Sequence, residues 1–462
     1  MQKGFLSLAC LIVTVVLTFS FAGQVQGAEK PTGRKAIIKE TPARKPPKEA
    51  APKKGPAADA PPSVKGVGID ASPGPIDAKS AMMVEVSTGA KLLEYNADEV
   101  IEPASFTKVM TLYLLFERIK EGKVSLKDEL WVSEEAWRTG GSKMFLGVGT
   151  KVPLEELIKG ITVVSGNDAC VAVAEHLHGS IESFAAAMNN KAKEIGMTRS
   201  HFVNPHGLPV QGQVTTARDM ATLGAAYLRR FPEAIRYHSM REYTYNGITQ
   251  YNRNHLILKD PSVDGLKTGF VDAAGYHLSA TAQRDGMRLL SVVMGAATPG
   301  IRERESMKLL NFGFRQYAMV NPFADGQPVS SVKIWKGEKN EVGLYPLEAA
   351  SVLIPQSQRN ALKWDIRRQD EITAPVTENQ PLGELVFVLS DSPVRTVALV
   401  SREEVPLGPW YKRFWHSILQ LHTIDWRWPL GIAVVLLALV GLSILVLNRR
   451  SMFKGSGTHY GR

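Results

Sequence analysis

Cysteine is nearly absent from this chain of 462 residues, which carries only Cys10 and Cys170. Cys10 lies inside an N-terminal apolar run that reads as a removable leader, so Cys170 is left alone. No intramolecular disulfide is then available. Cys170 sits between Ala169 and Val171 in an apolar helical pattern. That context reads as a small core residue rather than a nucleophile. Histidine offers no metal site either. His176 and His178 are two apart on a helical stretch, where i and i+2 do not share a face. His201 and His206 flank a loop. No ligand set emerges, and no metal or other cofactor is expected. Large apolar residues are scarce between residues 29 and 75, where Pro, Ala and Lys dominate. Such a segment cannot bury enough surface to offset the entropy of ordering, and reads as a flexible tether.

The formal net charge is +10 and the sequence pI about 9.4. Nucleic-acid binding is one reading of that balance, but the distribution argues against it. Ten Lys or Arg face four acids between Glu29 and Lys65, so much of the excess sits in the tether. A basic tail can hold an anionic polymer or a membrane, yet it is more commonly a solvated spacer.

In chain order, residues 1–27 have a secretory leader's features: Lys3, an apolar core from Leu6 to Phe21, and small residues at Val25-Gln26-Gly27. An uncleaved anchor is the alternative. Residues 28–75 form the tether. A first ordered unit is expected over residues 76–320. It opens on a β-hairpin from Ala81 to Tyr95 and passes into a helix at Ser105. Val109 to Phe116 is apolar nearly all round, as in a buried helix, and Gly122 is its stop. Further helices read at Leu154–Gly160, Asp168–Leu177 and Ala217–Arg230. Strands read at Arg241–Gly247, Gln250–Leu258, Tyr276–Gln283 and Arg288–Gly295, the last two joined by a turn at Arg284-Asp285-Gly286. Ile301–Tyr317 returns to helix. This order suggests an α/β unit with a sheet between helical layers.

Residues 322–406 carry six short β-type runs and read as a small separate all-β domain without a catalytic constellation. An aromatic segment, residues 407–428, follows. An uncharged apolar run over residues 429–447 is long enough to span a bilayer as a transmembrane helix. Tryptophans crowd its first end, and Arg449, Arg450 and Lys454 follow its second. That asymmetry places the bulk of the protein outside and residues 448–462 in the cytoplasm. The expected location is an exported, membrane-anchored protein.

Three short motifs carry chemistry: Ser105-Phe-Thr-Lys108, Ser165-Gly-Asn167 and Lys267-Thr-Gly269. A serine needs a base beside it to attack a carbonyl. A lysine three residues on lies on the same helical face, and burial makes its amine lose the proton more easily. Lys267 is a candidate for the charge that keeps Lys108 neutral. Ser165 can relay a proton to the leaving amine, Asn167 can hold a substrate amide, and Thr268 can bind a terminal carboxylate. Each motif alone also reads as ordinary capping and turn chemistry, and Gly269 as a point of close backbone approach. Lys267-Thr-Gly269 directly precedes a strand-like run. The ordered set of three is the signature of penicillin-binding proteins and class A β-lactamases.

From about Ser80 to Tyr317 the chain resembles the D-alanyl-D-alanine carboxypeptidases of the DacA type, low-molecular-mass penicillin-binding proteins of the serine peptidase class. Further matching stretches are Gly141-Ser-Lys-Met-Phe-Leu146, Phe202-Val-Asn-Pro-His-Gly-Leu208, Thr215-Thr-Ala-Arg-Asp-Met220 and Asp264-Gly-Leu266. Residues 322–406 resemble the β-rich second domain of that family. The resemblance implies a penicillin-binding/β-lactamase-like transpeptidase fold, with an antiparallel sheet between helical layers. It implies Ser105 as acyl-ester nucleophile, Lys108 as base, Ser165 and Asn167 as the second catalytic pair, and Lys267 as substrate-binding lysine. It adds Arg302 as a partner for the substrate carboxylate, and the backbone N–H of Phe270 as an oxyanion donor beside Gly269. The implied partners are peptidoglycan stem peptides, with β-lactam antibiotics as inhibitors. Many relatives carry His-Thr where this chain has Phe270-Val271, so any role of a histidine side chain there is lost. The tether is not typical of the family. Nor is the apolar tail, since the usual one is an amphipathic helix lying on the membrane.

Three function classes compete: a carboxypeptidase, a class A-like β-lactamase, and a non-catalytic wall-binding protein. D,D-endopeptidase action on cross-links would use the same residues as the first. A β-lactamase needs a second base to hydrolyse its acyl-enzyme, usually in a Glu-x-x-Leu-Asn loop, and none follows Asn167. A long-lived penicillin adduct is therefore expected. The intact motif set argues against the non-catalytic reading.

Overall fold

The computed structural model describes residues 72–324, 326–420 and 427–452; side chains are not described at 418–420, 427–430 and 446–452. Two compact units divide the chain, Met1–Ala58 and Asp59–Arg462, and every described residue belongs to the second. The leader, the tether up to residue 71, Trp426 and the tail beyond 452 lie outside the described residues.

The expected hairpin is β1 (Ser80–Glu85) and β2 (Lys91–Tyr95). Three longer strands complete the sheet: β3 (Val263–Val271), β4 (Gly275–Arg284) and β5 (Met287–Ala296). All pairings are antiparallel, in the order β2-β1-β5-β4-β3. Period-2 alternation decides which residues face which layer. Met82 and Val84 join one core cluster, whereas Ala81 and Met83 join the other. The first cluster belongs to the helical layer containing α1 (Thr107–Lys120), α2 (Leu154–Thr162), α3 (Asn167–His178) and α4 (Ala217–Arg230). The second lies beneath α5 (Pro299–Gln316), through Leu309, Leu310 and Phe312. The sheet is thus packed on both faces, and β3 is its edge.

Helix α1 is buried from Thr107 to Glu117 without a break, which is why its sequence is apolar on every side. Emptying one such position, as in Leu112→Ala, costs about 2–5 kcal/mol. Two readings of the sequence are corrected here. Lys267-Thr-Gly269 does not precede a strand but lies on β3 itself. Gly265, Lys267 and Gly269 break the apolar alternation that marks a strand. The stretch Gln250–Leu258 is not one strand. Pairing of Glu242–Tyr245 with Ile248–Tyr251 stops at Tyr251, and Leu256–Lys259 forms a helical turn.

Beyond α5, Tyr317–Val320 pairs with Val352–Pro355. A six-stranded sheet follows, antiparallel except where Ser330–Trp335 runs parallel to Glu371–Thr373. Its core gathers Val332, Ile334, Leu385, Phe387 and Leu399. Helix α6 (Trp410–Gln420) rests on this sheet through His416. The imidazole Nδ1 accepts the Lys336 N–H at 2.7 Å, and its ring meets Trp335 edge-on. Helix α7 (Arg427–Met452) is the last element. Among the described residues no helix is long and apolar enough to cross a membrane. The side chains of α7 are described only over 431–445, short of the roughly twenty residues that a span needs.

Candidate active site

Ser105 lies in a single 3-10 turn, Ala104–Phe106, immediately before α1. The turn is set by strain and by a close approach. Ala104 has a positive φ of 47°, a conformation that L-residues adopt at a cost. Gly207 (φ +91°) presses against it so tightly that a Cβ there would stand 1.8 Å from the Ala104 carbonyl oxygen.

One turn on, Lys108 is wholly buried. Its Nζ lies 2.9 Å from Ser105 Oγ and donates to the His206 carbonyl at 2.6 Å. Burial pulls its pKa down from 10.5 to about 8, and the charge of Arg253 adds to that. Of the two sources expected from the sequence, burial and a neighbouring ammonium, the structure favours the first. Burial, rather than the charge of Lys267, is the chief cause. The influence runs to Lys267, whose own pKa is pushed well below normal by burial first, then by Lys108 and Arg253. A buried amine that gives up its proton near neutral pH is what a base for Ser105 requires.

Ser165 has a positive φ of 63° and is 2% exposed. Its Oγ has no hydrogen-bond partner among the described residues. A buried orphan hydroxyl is costly, which suits a group kept for substrate. Asn167 opens α3, and its Nδ2 donates to the Gly140 carbonyl at 2.7 Å. The neighbouring Asp168 is buried, without an ion-pair partner among the described residues. Its carboxylate instead accepts the N–H groups of Met144, Phe145, Leu146 and Ala169 at 3.0–3.2 Å. Asp168 therefore straps the 140–146 loop beside Asn167.

Strand β3 carries the third motif past the Ser105 turn; a Cβ on Gly269 would stand 3.2 Å from that of Ala104. Because β3 is the sheet edge, alternate backbone groups on its outer side have no strand partner. Lys267 Nζ is 3.2 Å from the Thr268 carbonyl oxygen, and both residues are buried. Phe270 is 46% exposed and stacks on Tyr276 at a centroid distance of 4.3 Å. Arg302, on α5, is buried and donates to the Gly269 and His277 carbonyls at 3.3 and 3.2 Å.

The Ser105 turn, with Lys108, thus meets the Lys267 strand where Ala104 approaches Gly269, and Asn167 comes near the same turn through Gly141, which lies against both Asn167 and Leu208, next to Gly207. Three contributors carried no sequence signal as functional residues: the His206 carbonyl, the Asp168 strap and the Arg253 charge. A backbone oxygen leaves no trace in side-chain motifs, and Arg253 lies outside all three. Among the described residues no group of His, Cys, Asp or Glu could hold a metal ion. Cys170 is buried, and its thiol pKa is raised to about 12 by that burial. It is inert as a nucleophile.

Residues 68–298 match the family model described as D-alanyl-D-alanine carboxypeptidase, and residues 317–407 match that of the penicillin-binding protein 5 C-terminal domain. The chain is 40% identical to D-alanyl-D-alanine carboxypeptidase DacC of Escherichia coli, over 74% of this chain and 88% of the relative. It is 39% identical to DacA of the same organism, over 73% and 85%. Penicillin-binding protein 5 from Haemophilus influenzae superposes with a TM-score of 0.62 at 36% identity, covering 73% of this chain and 99% of that structure. With a serine–lysine pair beside an edge-strand lysine, and with relatives matched along most of their length, the chain belongs to the D-alanyl-D-alanine carboxypeptidase family.

Proposed function

We propose that the protein is a serine-type D-Ala-D-Ala carboxypeptidase that removes the terminal D-alanine from peptidoglycan stem peptides. The observation that carries this reading is the 2.9 Å contact between Ser105 Oγ and a buried, easily deprotonated Lys108. Neutral Lys108 takes the Ser105 proton as Oγ attacks the carbonyl carbon of the penultimate D-alanine. The oxyanion is held by the backbone N–H groups of Ser105 and Phe270. The orphan Ser165 hydroxyl passes a proton to the leaving amine, while Asn167 holds the substrate amide. Lys267, Thr268 and Gly269 line the side of the cleft where the terminal D-alanine sits. Departure of D-alanine leaves an ester on Ser105, and water releases the shortened peptide.

Penicillin enters the same chemistry and stops at the ester. Among the described residues Asp168 is a carboxylate whose charge is felt at Lys108, and its oxygens are occupied by four N–H groups. It is not free to activate water, which favours this reading over a β-lactamase. Incubation with a pentapeptide ending in D-Ala-D-Ala should release D-alanine, and Ser105→Ala should abolish the release. Equal activity in the two proteins would sink the proposal.

The apolar run in residues 429–447 is the feature that supports membrane anchoring. Its described large apolar side chains, among them Ile432, Leu437 and Leu445, are more than half exposed. Such a surface is stable only when covered by lipid or protein. The proposed location has the catalytic unit on the outer face of that membrane.

A further inference from the structure

Helix α6 meets the second sheet at the turn over residues 336–340, which joins Ser330–Trp335 to Glu341–Pro346. The approach to the helix is stitched to that turn by backbone bonds. The Glu338 N–H donates to the Pro406 carbonyl at 2.9 Å, and the Gly408 N–H to the Lys336 carbonyl at 2.8 Å. Gly408 comes so close that a Cβ there would stand 2.6 Å from the Gly337 carbonyl oxygen. The helix itself is held by side chains. Lys412 Nζ donates to the Glu338 carbonyl at 2.7 Å, and His416 Nδ1 accepts the Lys336 N–H at 2.7 Å. Trp410, Tyr411, Phe414 and Trp415 of the same helix are all more than half exposed.

The His416 bond works in one protonation state. Nδ1 needs its lone pair to accept an N–H, so a proton there sets two donors against each other. The Lys336 N–H then loses its partner. The surroundings oppose that proton as well. The ring meets Trp335, which is 5% exposed, edge-on at 5.0 Å between centroids, and Lys333 Nζ stands 4.3 Å from the Trp335 centroid. Burial comes first, followed by the charges of Lys412 on the helix, Lys333 on the strand and Lys336 in the turn; together they hold the imidazole below its ordinary value of 6.5. The acids of the neighbourhood are engaged elsewhere. Glu371 pairs with Lys333 at 3.7 Å, and Glu403 pairs with Lys339. Glu338 is exposed, and so is Arg413, a further cation of α6.

We infer that His416 is a proton-operated latch between the second sheet and α6: the neutral ring fastens the helix, and the protonated ring frees it to pivot about Gly408. The inference goes beyond the carboxypeptidase reading and does not rest on it. The direction follows from linkage. A histidine that is harder to protonate when docked favours docking at high pH, so the latch is closed above its ordinary 6.5 and loosens as pH falls below that value. In the chain α6 lies between the two sheets and the apolar α7. The latch therefore decides whether α6 is carried rigidly by the second sheet or through a loose joint. With the catalytic unit on the outer face, as proposed, the acidity it answers to is that of the surroundings.

The test is amide hydrogen exchange of the full chain in detergent micelles, from about pH 5 to about pH 8, a range that brackets imidazole titration. It is read by mass spectrometry at single-amide resolution and corrected for the intrinsic pH dependence of exchange. In wild type the Lys336 amide should lose protection by about twofold to tenfold on acidification, the worth of one hydrogen bond. The Gly408 amide, at the pivot, should keep its protection throughout. His416→Asn places a side-chain oxygen where Nδ1 stands and does not titrate, so Lys336 should stay protected at every pH. His416→Leu removes the acceptor, so Lys336 should be weakly protected at every pH. Protection of Lys336 that is flat with pH in wild type overturns the inference. So does a fall in His416→Asn that matches wild type, or a joint loss at Lys336 and Gly408, which would mean that the whole turn opens.

Discussion

At the scale of the residue, the account turns on a lysine whose proton is loosened by burial. A pKa of about 8 means that the base form of Lys108 grows as pH rises through that value. The kcat/KM for D-alanine release should therefore climb with pH and level off above about 8. Lys108→Arg, which stays protonated, should lose about 10²–10⁴-fold in acylation at every pH and show no such limb. Stopped-flow acylation by a chromogenic β-lactam across pH 6–10 (an experimental range of about four units, bracketing the shifted pKa) reads both. The pair was legible in the sequence because i and i+3 share a helical face and because the following run is apolar on all sides. The reason for the shift was less legible. The sequence suggested burial and a neighbouring ammonium at Lys267; burial does rank first, but the added charge is that of Arg253, outside every motif. Charges brought together by folding leave no local pattern.

At the scale of the element, the nucleophile is held by the Ala104–Phe106 turn and its contact with Gly207. Gly207→Ala would drive a methyl into the Ala104 carbonyl and force L-geometry at φ +91°. A loss of about 2 kcal/mol or more is expected, with a fall in kcat/KM because the displaced oxygen belongs to the residue before Ser105. Gly122→Ala is the control: it has φ +69° but open space around it. Only the left-handed strain of about 1–2 kcal/mol remains there, and activity should be unchanged. Thermal unfolding and steady-state kinetics on the two variants separate the effects. Long helices with one pattern, such as α4 (Ala217–Arg230), were legible to the residue. Strand β3 was not, because Gly265 and Gly269 sit where a strand pattern wants side chains. Close approach to the Ser105 turn demands a small residue at Gly269, so a feature that hides the strand also helps to build the site.

At the scale of the whole molecule, a catalytic sheet, a β-rich unit and an apolar tail follow one another along the chain. Helix α6 turns Trp410, Tyr411, Phe414 and Trp415 outward while His416 fastens it to the second sheet. Removing residues 409–462 should leave both sheets folded and the enzyme active, but shift it from the membrane fraction to the soluble one. Retention in the membrane after that deletion would contradict the proposed anchor. The central claim, that Ser105 forms an acyl-enzyme with no second base to clear it, meets its most direct test in intact-protein mass spectrometry. After brief exposure to penicillin, wild type should gain the mass of one intact penicillin on the peptide containing Ser105, persisting for minutes or longer, while Ser105→Ala gains nothing. An adduct that clears within seconds, or one that forms equally in Ser105→Ala, would contradict it.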